Sequence, residues 1–211
     1  MRIVFNFIIR IFSRFKMNKV ENTQMVVGKH TYGFENINVA WQQNEIIVIG
    51  AFCSIAGNIT IQLGGNHNSN WITTYPFGHL PYGKFKSLPV PGHPKESRKV
   101  EIGNDVWIAN NVTLMGGVII HDGAIIAMNS HVTRNIPPFE IWGGNPAKKI
   151  KDRFPEEIKL KLLELKWWEQ EDLLIEKLIP YLVQEPTAEI LHEIEEEISS
   201  YNKISRKNDL R

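Results

Sequence analysis

An all-β core, built as a left-handed parallel β-helix with a protruding insertion loop and C-terminal α-helices, is the fold this sequence predicts. Three observations carry it. An apolar residue returns every six positions from Ile102 to Val132, the same spacing occurs earlier at Ile49, Ile55 and Ile61, and the rhythm is broken between about residues 63 and 99.

The later run comprises Ile102, Ile108, Leu114, Ile120, Ile126 and Val132. On an α-helix of about 3.6 residues per turn, positions six apart would rotate around the cylinder instead of holding one face. Three short strands per coil explain the pattern: at about eighteen residues per turn, each flat side supplies one inward position every six residues. Between them stand Gly103, Asn104, Asn110, Asn111, Gly116, Gly117, Asp122, Gly123 and Asn129, residue types suited to close corners and left-handed backbone states. Stacked coils satisfy one another's backbone groups and bury a continuous column, which no isolated coil does well. The general rule for parallel crossovers favours the opposite hand; the six-residue phasing, with the resemblance given below, makes this fold the exception.

A first run opens at Val27 and Gly28 and becomes regular at Ile49, Gly50, Ile55 and Ile61, so early coils precede the break. From Leu63 to Lys99 glycines, aromatics and prolines replace the rhythm. Unstructured loops beyond about fifteen residues are uncommon in a compact domain, which points to a functional or assembly role for this insertion.

The Ile136-Pro137-Pro138 break ends the regular repeat. Pro155 to Leu182 is helix-compatible, with Pro155 suited to the first turn, and Leu191, Ile194, Ile198 and Tyr201 form a further apolar stripe. The polar last ten residues read as a solvated tail. The expected organisation is therefore an N-terminal segment over 1–19, the β-helix over 20–150 and a helical extension with its tail over 151–211.

In residues 1–19, Val4, Ile8, Ile11, Phe12 and Phe15 can share one helical face, but Arg2, Arg10, Arg14 and Lys16 interrupt the segment before it reaches a spanning length. Packing on the protein and peripheral membrane contact both remain open for it. No signal-cleavage pattern closes the segment. Twenty-four Lys and Arg against twenty-three Asp and Glu give a formal charge of +1, which argues against nucleic acid as a partner. The one cysteine, Cys53, excludes an internal disulfide and reads as core packing; with histidines in no metal-ligand spacing, the expectation is a cytoplasmic protein without a metal.

The insertion contains GGNH, Gly64 to His67, followed by TTYPF, Thr73 to Phe77; NDVWI at 104–108 and GGNPA at 143–147 flank the later coils. With VGKHTYG, IGAFCSIAGNI and the WW-containing stretch beyond residue 166, these motifs run from about Val26 to Pro180. Over that span the chain resembles the xenobiotic acetyltransferase branch of the hexapeptide-repeat acyltransferases, which includes chloramphenicol and streptogramin acetyltransferase-like proteins.

The resemblance implies an acetyl-CoA-dependent O-acetyltransferase in which His67 is the general base, with active sites between the subunits of a homotrimer. It maps Tyr32 to an acceptor-side position, with structural packing as the alternative. Trp107 either braces coils or lines the cofactor channel. Ala109 and Ala127 are candidate pantetheine contacts, and Lys148, in a basic end region with Lys149 and Arg153, is the candidate phosphate contact. His79 and His93 lack the motif match and read as ordinary loop residues; Trp142 could brace or line. The acceptor is a small-molecule hydroxyl, read first as a saccharide or glycan precursor, with an antibiotic hydroxyl as the alternative. A non-catalytic hexapeptide scaffold is the other class, and it would not need His67.

Overall fold

The computed structural model describes residues 15–20, 23–42, 44–80, 84–86, 90, 91 and 98–208. Its first compact unit runs to Lys151 and consists of short strands wound into coils. The first coil places β2 (Thr23–Gly28), a bridge at Tyr32 and β3 (Ile37–Ala40) on three successive walls. The second repeats them with β4 (Ile47–Ile49), β5 (Ser54–Ile55) and β6 (Ile59–Gln62). After the insertion come β7 (Glu101–Ile102), β8 (Trp107–Ile108) and β9 (Thr113–Met115), then β10 (Ile119–Ile120), β11 (Ile125–Ile126) and β12 (His131–Val132). A bridge at Ile136, β13 (Glu140–Gly143) and β14 (Lys148–Asp152) finish the stack.

Pairing is parallel throughout the coils, and the register is set by the apolar rhythm. Ile49, Ile102 and Ile120 lie over one another on one wall; Ile55, Ile108, Ile126 and Trp142 on the second; Ile61, Leu114 and Val132 on the third. All six residues of the later run are at most 2 % exposed. The expectation that they share one interior therefore holds. Because Leu114 fills a fixed slot between Ile61 and Val132, Leu114→Ala should cost about 2–5 kcal/mol, read as a lowered denaturant midpoint.

One coil advances 18 residues, as from Asn104 to Asp122, whereas Asn104 lies 53 residues beyond its partner Ala51. The 35 additional residues are the insertion, and its two ends meet where the Arg98 amide donates to the Leu63 carbonyl at 2.9 Å. A long excursion thus leaves the register undisturbed on either side.

The corners use left-handed backbone at non-glycine positions, among them Asn58, Asn111 and Asn129. Asparagine tolerates this conformation because its side chain bonds locally. Here the amides also form a ladder between coils, Asn58 donating to Asn111 at 3.1 Å and Asn111 to Asn129 at 3.2 Å.

At the N-terminal end the structure departs from expectation. Strand β1 (Phe15–Val20) pairs antiparallel with β2, so the last residues of the 1–19 segment are strand, not helix. Phe15 opposes Gly28, which places it in an extended ladder that overrides the local helical periodicity. Residues 1–14, with the remainder of that amphipathic pattern, lie outside the described residues.

The second compact unit begins at Asp152 and holds α1 (Glu156–Leu165), α2 (Asp172–Leu182) and α3 (Ala188–Asn208). Pro155 stands just before α1, and the left-handed Lys166 ends it, so the single helix-compatible stretch divides in two. Leu191 and Ile194 are buried as expected. Helix α3 continues to Asn208, so most of the anticipated tail is helical: once nucleated, propagation adds a backbone bond per residue even in polar sequence.

Candidate active site

The insertion leaves β6 through a tightly constrained turn. The Gln62 side-chain amide donates to the Gly64 carbonyl at 2.6 Å, and Gly65 takes a left-handed φ of 77°. A methyl group on Gly65 would stand 2.4 Å from the indole of Trp41, so this glycine is required by conformation and by space. The Trp41 ring also lies 6.4 Å from that of His79, giving the base of the insertion an aromatic support.

Two residues on, His67 is exposed, and its Nδ1 is 2.6 Å from the Thr74 carbonyl oxygen. A carbonyl can only accept, so Nδ1 carries the proton and, in the neutral ring, Nε2 carries the lone pair. The stretch between the two residues is folded by a bond from the Asn70 amide to the Asn68 side chain at 3.1 Å, and Tyr75 beyond it donates its amide to Thr73 Oγ1 at 3.1 Å. Tyr75, Phe77 and Phe85 then follow ring against ring at 4.7 and 5.2 Å.

The other candidate positions gather on a different wall. Tyr32 bridges Ser54, Ser54 pairs with Trp107, and Trp107 with Ile125, all facing outward while their neighbours Ile55, Ile108 and Ile126 face inward. Tyr32 is 64 % and Trp107 52 % exposed, so neither ring is used to brace the interior of this chain. Ala109 and Ala127 follow β8 and β11 on the same wall. Their N–H groups already bond to Ile126 and Trp142, at 3.0 and 2.8 Å, which confines a pantetheine contact at these residues to their carbonyl oxygens, and that of Ala127 also accepts from Ser130 Oγ at 2.5 Å. Lys148 opens β14 at the end of this sheet and is exposed.

Lys149 and Trp142 have other roles. The buried Glu140 accepts from Lys149 Nζ at 2.8 Å and from Trp142 Nε1 at 2.6 Å, which makes Trp142 a brace. Sequence reasoning missed Trp41 and Glu140. Trp41 adopts a left-handed φ, which its residue type does not announce, and Glu140 is buried in a pattern where a carboxylate reads as exposed.

The description "Bacterial transferase hexapeptide (six repeats)" matches residues 99–134. A chloramphenicol acetyltransferase of Agrobacterium fabrum is 36 % identical, over 71 % of this chain and 78 % of its own. A protein of Lysinibacillus sphaericus described as a probable macrolide acetyltransferase is 47 % identical, over 58 % of this chain and 68 % of its own. The chain belongs to the xenobiotic acetyltransferase branch of the hexapeptide-repeat family. A galactoside O-acetyltransferase of Escherichia coli K-12 is more distant, 29 % identical over 60 % of this chain and 53 % of its own.

For a xenobiotic acetyltransferase relative, the acyl donor is a long thioester with an anionic end. The wall just described offers an exposed indole on β8 and an exposed lysine on β14, which fits such a group. Cys53 does not belong to the site: it is fully buried, its Sγ lies 3.1 Å from the Gly103 carbonyl, and burial pushes its thiol up to about 12. A native thiol this protonated should resist a disulfide reagent at pH 8 and react only on unfolding. Because its folded value is raised, stability should also decline as pH climbs from the ordinary thiol range towards 12.

Proposed function

We propose that this protein is an acetyl-CoA-dependent O-acetyltransferase that transfers acetyl to a hydroxyl of a saccharide or glycan precursor, with His67 as general base. The observation that carries the reading is the Nδ1 contact to Thr74, because it fixes the tautomer a base requires. Nε2 takes the proton of the acceptor hydroxyl while the oxygen attacks the acetyl carbonyl. Acetyl-CoA supplies the activated thioester, and the carbon–sulfur bond breaks to release the CoA thiolate. Proximity and the correct tautomer account for the catalysis without a metal.

Tyr32 is the acceptor-side residue: its exposed ring can cover an apolar face while its hydroxyl orients the attacking oxygen. Trp107, Ala109 and Ala127 line the donor's path and Lys148 meets its phosphates. His67 leaves from the β6 wall and these residues stand on the β5–β14 wall, an arrangement that suits a homotrimer with each site shared between two subunits. No described helix is long and apolar enough to cross a membrane. The working location is the cytoplasm, at the inner face of the membrane if the N-terminal segment binds it.

The acceptor is read as a saccharide because the insertion carries Asn66, Asn68 and Asn70 close in sequence to the exposed Trp71 and Tyr75, residue types suited to hydroxyl-rich faces. The names of the drug-acetylating relatives favour a second reading, an antibiotic hydroxyl. The deciding experiment offers purified protein acetyl-CoA with sugar nucleotides, oligosaccharides, chloramphenicol, macrolides and streptogramins, and identifies products by mass. Acetylation confined to saccharides is expected; robust modification of a drug would establish the second reading.

A further inference from the structure

Lys148 and Lys149 are consecutive residues of β14, and their surroundings differ. Glu140 of the neighbouring β13 is 8 % exposed, and both of its carboxylate oxygens are engaged, Oε2 by the Trp142 indole at 2.6 Å and Oε1 by the Lys149 ammonium at 2.8 Å. A carboxylate this buried is costly without a counter-ion, so Lys149 is held in place by the penalty its departure would incur. The pair presents no net charge to an approaching anion. Lys148 is exposed, and it makes no hydrogen bond or ion pair among the described residues. Both carboxylate oxygens are taken, so Lys148 has no place in the Glu140 contact while Lys149 and Trp142 hold it.

We propose that Glu140 is a positioning residue that decides which of the two lysines meets the phosphates of the acyl donor, by retaining Lys149 and leaving Lys148 to the ligand. The inference rests on the acetyl-CoA reading above. It has a consequence that a purely structural carboxylate lacks: removing the charge of Glu140 releases Lys149, which can then replace a missing Lys148.

The test compares calorimetric affinities for coenzyme A and for pantetheine, the same thiol arm without the nucleotide phosphates. Lys148→Ala should weaken coenzyme A about tenfold and leave pantetheine unchanged. The double variant Glu140→Gln with Lys148→Ala should recover most of that loss, because glutamine keeps an acceptor for Trp142 but no longer retains Lys149. A double variant no better than Lys148→Ala, or a Glu140→Gln that weakens both ligands alike, would overturn the proposal. Equal affinity of the native protein for the two ligands would also overturn it while leaving thioester use intact. Binding of neither would instead remove the acetyl-CoA reading.

A second measurement needs no variant. An amine-reactive label followed by peptide mapping should find Lys148 protected by coenzyme A and Lys149 unaffected. Protection of Lys149 in its place would reverse the assignment.

Discussion

His67→Ala should lower kcat by about 10²- to 10⁴-fold while the fold and coenzyme A affinity persist. The imidazole is exposed and packs into no core, so its loss removes a proton acceptor without opening a cavity. The contact from Nδ1 to Thr74 makes the ring a preset acceptor through Nε2, and alanine offers no substitute. Steady-state rates with the acceptor identified by mass, alongside calorimetry with coenzyme A, separate chemistry from binding. Unchanged turnover would remove His67 from the base role, and a protein with no turnover in either form would be the hexapeptide scaffold.

Gly65→Ala should lower kcat/KM by about 10- to 100-fold, since a shift near 1 Å at a catalytic group is enough for a loss of that order. The left-handed φ of Gly65 costs an alanine roughly 1–2 kcal/mol, and its methyl would overlap the Trp41 indole. Either the ring or the turn must move, and His67 stands two residues downstream. The coils lie on the other side of the Arg98 to Leu63 closure, so the circular dichroism spectrum should be retained. A second substitution, Trp41→Ala in the Gly65→Ala background, should restore part of the activity by making room for the methyl. Full activity in Gly65→Ala alone would show that the turn does not set the position of the histidine.

The coils were legible because their signal is local. Ile102, Ile108 and Leu114 announce three walls through spacing alone, and each is buried where the spacing puts it. Tyr32 and Trp107 were legible one at a time; that they share one outward column depends on the pairing of Tyr32 with Ser54 and of Ser54 with Trp107, across gaps of different length. Residues 15–19 misled for a related reason. Their helical periodicity is a weak local preference, and pairing of β1 with β2 supplies a full ladder of backbone bonds that the preference cannot match.

What the sequence determined by itself is the period, hence the interior, the place of the interruption and the histidine within it. Only the tertiary structure decided the partners: Thr74 for His67, Trp41 for Gly65, and Glu140 for Lys149 in preference to Lys148. The period is read off neighbouring residues because side-chain direction repeats along a strand. The contacts of His67, Gly65 and Glu140 depend on how the insertion turns and how β14 meets β13, and no repeat along the chain encodes either.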